Sequence, residues 1–216
     1  MSNLRRGCFI TLEGGEGGGK STQARRLAEA LERAGRAARL TREPGGSPGA
    51  EQIRGLLVNG EVQRWDPLTE ALLHFAARRE HVQKTILPAL ASGTWVISDR
   101  FADSTLAYQG FGHGVDRAAI ADLYRICVGD LKPDLTLILD LPVDAGLARA
   151  AGRGGGEDRY ERMDRGFHER IRAGFLEIAR QEPKRCVVID AARDADTVCL
   201  AILDALRQRL PEALTP

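Results

Sequence analysis

One short run near the N-terminus constrains this chain more than any other feature: Gly14-Gly15-Glu16-Gly17-Gly18-Gly19-Lys20-Ser21, a match to G-x-x-x-x-G-K-[ST]. Before it, Cys8 to Leu12 reads as a buried strand; after it, about Lys20 to Ala34 reads as a helix with Gly35 as its C-cap. Glycines at such a junction let the backbone curl, so several N–H groups face a polyphosphate at the positive end of the helix dipole. Lys20 brings a compact charge to the β- and γ-phosphates, and the Ser21 hydroxyl suits Mg²⁺. The expected ATP contacts are Gly14, Gly15, Glu16, Gly17, Gly18, Gly19, Lys20, Ser21 and Thr22, with Mg²⁺ as cofactor.

A phosphate loop of this kind needs an open sheet around it, and the rest of the chain supplies the pieces. Arg39 to Thr41, Thr94 to Ser98, Leu135 to Leu141 and Arg185 to Asp190 read as further strands. Asp66-Pro67 opens a helix that should run to about Ala91 and stop at Gly93, and a last helix spans about Asp194 to Leu210. Strands alternating with helices predict an α/β fold, three layers deep, around a parallel sheet of about five strands. Residues 1–216 show no internal repeat and no second boundary, which predicts one domain. The Gly152 to Gly156 tract lies between helical patterns and reads as a mobile loop, with a lid at about residues 149–160.

Composition removes other classes. A net charge of +1 argues against a large nucleic-acid footprint. Cys8, Cys127, Cys186 and Cys199 show no paired spacing, and the scattered histidines give no zinc pattern. The apolar run after Arg5 and Arg6 is too short for a signal peptide or a membrane span, so a cytoplasmic protein without a membrane partner is expected. A GTPase would carry a base-reading Asn-Lys-x-Asp, which is absent, and a motor would be longer. A compact kinase remains.

Several further segments together resemble bacterial thymidylate kinases. They are Thr41-Arg42-Glu43-Pro44-Gly45-Gly46, Phe75-Ala76-Ala77-Arg78, Asp99-Arg100-Phe101 with Ser104, Ala107-Tyr108-Gln109-Gly110, Pro133-Asp134-Leu135-Thr136 and Asp158-Arg159-Tyr160-Glu161. The resemblance implies transfer of the ATP γ-phosphoryl group to dTMP by a Mg²⁺-dependent homodimer. Another nucleoside monophosphate kinase, or a deoxynucleoside kinase, on the same fold is the alternative. A nucleotide-binding module without catalysis is a third reading, although no catalytic part is missing.

The resemblance also assigns residues. Arg100, at a strand end, suits the acceptor phosphate, and Asp99 the Mg²⁺ or its waters, with Ser21 as the other metal ligand. Arg78 faces the thymine ring, and Ser104, Thr105, Tyr108 and Gln109 line the acceptor pocket. Tyr108 crowds the sugar C2′, and Glu16 reaches the 3′-hydroxyl. The family commonly has an aromatic ring four residues before the base-reading arginine; here that position is His74, with Phe75 beside it. Phe75 either stacks on the base or packs in the core. The phosphate loop has Gly17 and Gly18 where one subgroup has a basic residue, while Arg149 and Arg153 flank the lid. The chain therefore resembles the lid-arginine subgroup, with Lys20, Arg100 and Arg153 catalytic and Arg153 the finger.

Overall fold

A computed structural model describes residues 6–152 and 159–214. Five strands form one parallel sheet in the order β2-β3-β1-β4-β5. They are β1 (Phe9–Glu13), β2 (Ala38–Arg42), β3 (Trp95–Asp99), β4 (Leu135–Asp140) and β5 (Cys186–Asp190). Each lies within about a residue of its sequence expectation. Every residue of β1 is buried, as expected of a parallel strand covered on both faces.

Nine α-helices are described: α1 (Lys20–Arg33), α2 (Pro48–Val58), α3 (Pro67–His81), α4 (Leu87–Ala91), α5 (Ala102–Thr105), which continues into a π-helical segment Leu106–Gly112, α6 (Arg117–Cys127), α7 (Val143–Ala151), α8 (Arg165–Gln181) and α9 (Ala195–Arg209). One sheet face packs under α1 and α9, through Leu27, Leu31, Ile202 and Leu206. The other packs under α3, α4 and α6 around Phe9 and Phe75, and under α8 around Phe167, Ile171 and Phe175. Each of these large side chains contributes about 1.5–3 kcal/mol by burial, so sheet and helices form three layers.

Local signals explain most element ends. The Asp66 side chain accepts from the Leu68 and Thr69 amides, and Pro67 occupies the first helical position. Asp194 caps α9 in the same way. Two expectations need correction. The helix from Asp66 to Ala91 is not uniform: α3 passes through a π-helical turn, Val82–Ile86, before α4. The stretch Pro48–Val58 forms a helix that sequence reasoning did not identify, although Ser47-Pro48 is a fair start signal. Among the described residues no helix is long and apolar enough to cross a membrane.

The sheet order positions the site. β1 lies between β3 and β4, and the connections leaving it and β3 diverge, so their carboxyl ends form a crevice. Register sets Leu12 beside Asp99 and Asp99 beside Arg42, which brings the glycine loop, Asp99-Arg100 and Glu43 to one edge.

Candidate active site

A cleft of about 830 Å³ opens at this edge, within the range of small-molecule sites. Glu16, Gly17, Gly18, Gly19, Lys20 and Ser21 form one wall, and Gly14 and Gly15 lie behind them. Thr22 sits half-buried in the first turn of α1, outside the lining. The glycine requirement is physical at two positions. A Cβ at Gly17, where φ is +69°, would stand 2.0 Å from the Gly146 carbonyl oxygen on α7. A Cβ at Gly14, with φ +132°, would meet the Leu139 carbonyl of β4 at 2.5 Å.

Lys20 is buried and donates to the carbonyls of Gly14 at 3.1 Å and Gly15 at 2.5 Å. Burial, and then Arg100, pulls its ammonium down to about 8, while Glu16, Asp99 and Glu13 oppose the shift. At the mouth of the loop the Ser21 hydroxyl meets Asp99 Oδ2 at 2.5 Å.

Arg100 is the hub of the site. It is the one described non-glycine residue with positive φ, +71°, a conformation a non-glycine side chain adopts at a cost of about 1–3 kcal/mol. The turn aims its guanidinium back across the loop. Nη1 donates to the Gly14 carbonyl and Ser104 Oγ, and Nη2 to Glu16 Oε1 and the Tyr108 hydroxyl, at 2.9–3.1 Å. Tyr108 in turn donates to Glu16 Oε1 at 2.7 Å. Beneath them, fully buried Glu13 accepts from the Phe101 amide and from Ser104 Oγ. Sequence reasoning gave Glu13 no part; as the last residue of β1 it reads as plain strand.

Arg78 lies across the cleft on α3, 2% exposed, over the rings of Phe75 and Phe101. Its Nε donates to Glu43 Oε2 at 2.7 Å and its Nη2 to the Phe101 carbonyl and Thr105 Oγ1. Glu43 also meets His81 Nδ1 at 2.9 Å, and His81 Nε2 meets Thr41 Oγ1. The segment Thr41 to Gly46 thus holds the arginine in place, a role no local signal reveals. Gln109, fully buried, donates through Nε2 to Glu70 Oε1. Arg78 Nη1 and Gln109 Oε1 remain buried with no partner among the described residues.

Of its two alternatives, Phe75 takes core packing and not the cleft. It is 1% exposed within the core cluster around Phe9 and Val96, while His74 lines the cleft. One residue along a helix turns the side chain by roughly 100°, so both cannot face the same way. Burial, then Arg78 and Arg159, takes His74 down to about 3, so it is a neutral ring that meets the Tyr160 hydroxyl at 2.9 Å. The other expected acceptor residues, Glu16, Arg78, Arg100, Ser104, Thr105, Tyr108 and Gln109, all line the cleft, as does Asp99.

The lid region divides. Arg149, at the end of α7, donates to the carbonyls of Ala191 and Ala192. Arg153 and the following residues to Asp158 lie outside the described residues. Arg159 is buried, pairs with Glu70, and donates to the carbonyls of Leu57 in the last turn of α2 and of Glu61 and Val62 beyond it.

Comparison with known proteins gives the same picture. The family model described as thymidylate kinase matches residues 12–202. A thymidylate kinase of Caulobacter vibrioides is 58% identical over 207 residues, covering 96% of this chain and 99% of that one. One from Bradyrhizobium sp. is 53% identical, covering 95% and 92%. The crystal structure of thymidylate kinase from Ehrlichia chaffeensis superposes with a TM-score of 0.76 at 38% identity, covering 93% of this chain and 99% of that one. The fold, the glycine loop and this extent of identity make the chain a member of the thymidylate kinase family.

Proposed function

We propose that this protein transfers the γ-phosphoryl group of ATP to dTMP, giving dTDP and ADP. The observation that carries the reading is the pair of unpartnered buried atoms, the donor Arg78 Nη1 and the acceptor Gln109 Oε1, on two residues of one cleft. A carbonyl beside a ring N–H, as in thymine O4 and N3–H, satisfies both. Cytosine offers an amine and a bare nitrogen there and satisfies neither. Buried polar groups left unpaired discriminate strongly.

The polyphosphate lies along Gly14 to Ser21, with Lys20 on the β- and γ-phosphates. The acceptor phosphate takes Arg100, whose two nitrogens suit two phosphate oxygens. An acceptor phosphate oxygen is already anionic at neutral pH, so it attacks the γ-phosphorus without a strong base while the bond to the ADP oxygen breaks. Positioning and charge neutralisation supply the rate, with Lys20, Arg100 and the lid residue Arg153 as cations. In this reading Glu16, held between Arg100 and Tyr108, takes the 3′-hydroxyl and Tyr108 the C2′ side of the sugar; Ser104 and Thr105 complete the wall. His74 takes the stacking place as a neutral ring.

Ser21 and Asp99 fit Mg²⁺, since they juxtapose two hard oxygen donors at the loop mouth, and this ion keeps several waters and phosphate ligands of its own. Bound there, Mg²⁺ would neutralise phosphate charge. The reading extends to one catalytic domain, a cytoplasmic setting and a homodimer. Exposed Leu68 and Leu72 on α3 and Ile126 on α6 support the dimer, because these helices pack together and the Arg79 side chain donates to the Cys127 carbonyl.

An ADP-release assay with dTMP, dUMP, dCMP, AMP and thymidine tests the assignment. dTMP should lead in kcat/KM, dUMP should follow, and dCMP should trail. A different leading acceptor, or no ADP from any monophosphate, overturns it.

A further inference from the structure

We infer that Glu70 sets the pyrimidine preference by fixing which end of the Gln109 amide remains free; the inference rests on the dTMP reading above. Glu70 lies on α3, 1% exposed, and does not itself line the cleft. Its two oxygens are divided. Oε1 accepts from Gln109 Nε2 at 2.7 Å, and Oε2 pairs with Arg159, which is itself 1% exposed. His113 stands 3.7 Å from Oε1, with burial pushing its imidazole towards the neutral form.

An amide has two faces of similar shape and opposite sense: one nitrogen that only donates and one oxygen that only accepts. Without a constraint Gln109 could present either. A carboxylate only accepts, so Glu70 captures the nitrogen and leaves Oε1 as the unpartnered end. That end matches a ring N–H and mismatches a bare ring nitrogen. Arg159 holds the carboxylate in place, and it also ties residues from beyond the lid to the carbonyls of Leu57, Glu61 and Val62. Glu70 is therefore a positioning residue, acting on the base through Gln109.

The test is Glu70→Gln. The new amide has one acceptor oxygen, and the charged Arg159 takes it ahead of the Gln109 amide and the Tyr160 hydroxyl. Its nitrogen then opposes Gln109 Nε2, donor against donor, and the Gln109 amide turns over. The expected result is a fall of about 10–100-fold in kcat/KM for dTMP, with dCMP falling much less, so the dTMP:dCMP ratio drops at least about tenfold. ATP KM should stay close to wild type. A purely structural loss would lower both acceptors together, and that result overturns the inference.

The exchange Glu70→Gln with Gln109→Glu restores the pattern by other means. The amide oxygen at 70 serves Arg159, its nitrogen serves the carboxylate at 109, and a carboxylate oxygen remains as the free acceptor. The dTMP:dCMP ratio should return to within about threefold of wild type. If the single variant fails to fold, the exchange variant decides: a folded protein without dTMP preference refutes the role. Wild-type enzyme with no preference for dTMP over dCMP would instead overturn the proposed function.

Discussion

Replacing Glu13 with Gln should flatten the pH dependence of stability by an amount that burial sets. Glu13 ends β1 with no exposed surface, accepting from the Phe101 amide at 2.8 Å and from Ser104 Oγ at 2.6 Å. Burial, and then Asp103 nearby, pushes its carboxyl from 4.5 up to about 7, against the pull of Ser104, Arg100 and the Phe101 amide. A carboxyl whose pKa rises on folding holds its proton more tightly in the folded state. Its contribution to stability is therefore full below about pH 4.5 and is lost as pH climbs through about 7. The whole difference corresponds to about 3 kcal/mol, of which about 2–3 kcal/mol falls between pH ~5 and ~8. Glu13→Gln keeps the shape and removes the titration. The mismatch of an amide against two donors is a cost without pH dependence, so it shifts the variant's curve without tilting it. Urea unfolding of both proteins across this range measures the difference, since other groups largely cancel. Wild type should lose about 2–3 kcal/mol relative to the variant from pH ~5 to ~8. A difference constant to within about 0.5 kcal/mol refutes the reasoning and places Glu13 in a better-solvated or better-paired setting.

Two kinetic predictions follow from the cleft. Tyr108, pinned by Glu16 and Arg100, cannot swing aside for a ribose, so Tyr108→Ala should raise the UMP:dTMP ratio of kcat/KM by about tenfold or more; an unchanged ratio removes the steric gate. Arg153→Ala should lower kcat by on the order of 10²–10³ while ATP binding, followed by calorimetry, stays near wild type. A wild-type kcat would end the finger assignment.

Much of the site was legible because its chemistry is local. A glycine loop between a buried strand and a helix leaves the backbone few alternatives, and Asp66-Pro67 or Asp194 start helices with their own side chains. The strands were readable as apolar runs, but their pairing was not, since β1 lies between β3 and β4, both remote in sequence. His74 against Phe75 turned on the rotation of α3 about its axis, which the core beneath it fixes. Charged residues were the least legible. Arg78 had a place in the cleft only through resemblance, and Glu43, Glu70 and Arg159 had no assigned role, yet all four are buried. Each is tolerated inside only because partners from distant segments supply its hydrogen bonds, Arg78 with Glu43 and Arg159 with Glu70. The sequence by itself determined where phosphate can bind, because that depends on neighbouring backbone groups. Tertiary structure alone decided which buried atoms lack partners, and with them the groups proposed to read the base, because that depends on what the rest of the chain brings to cover them.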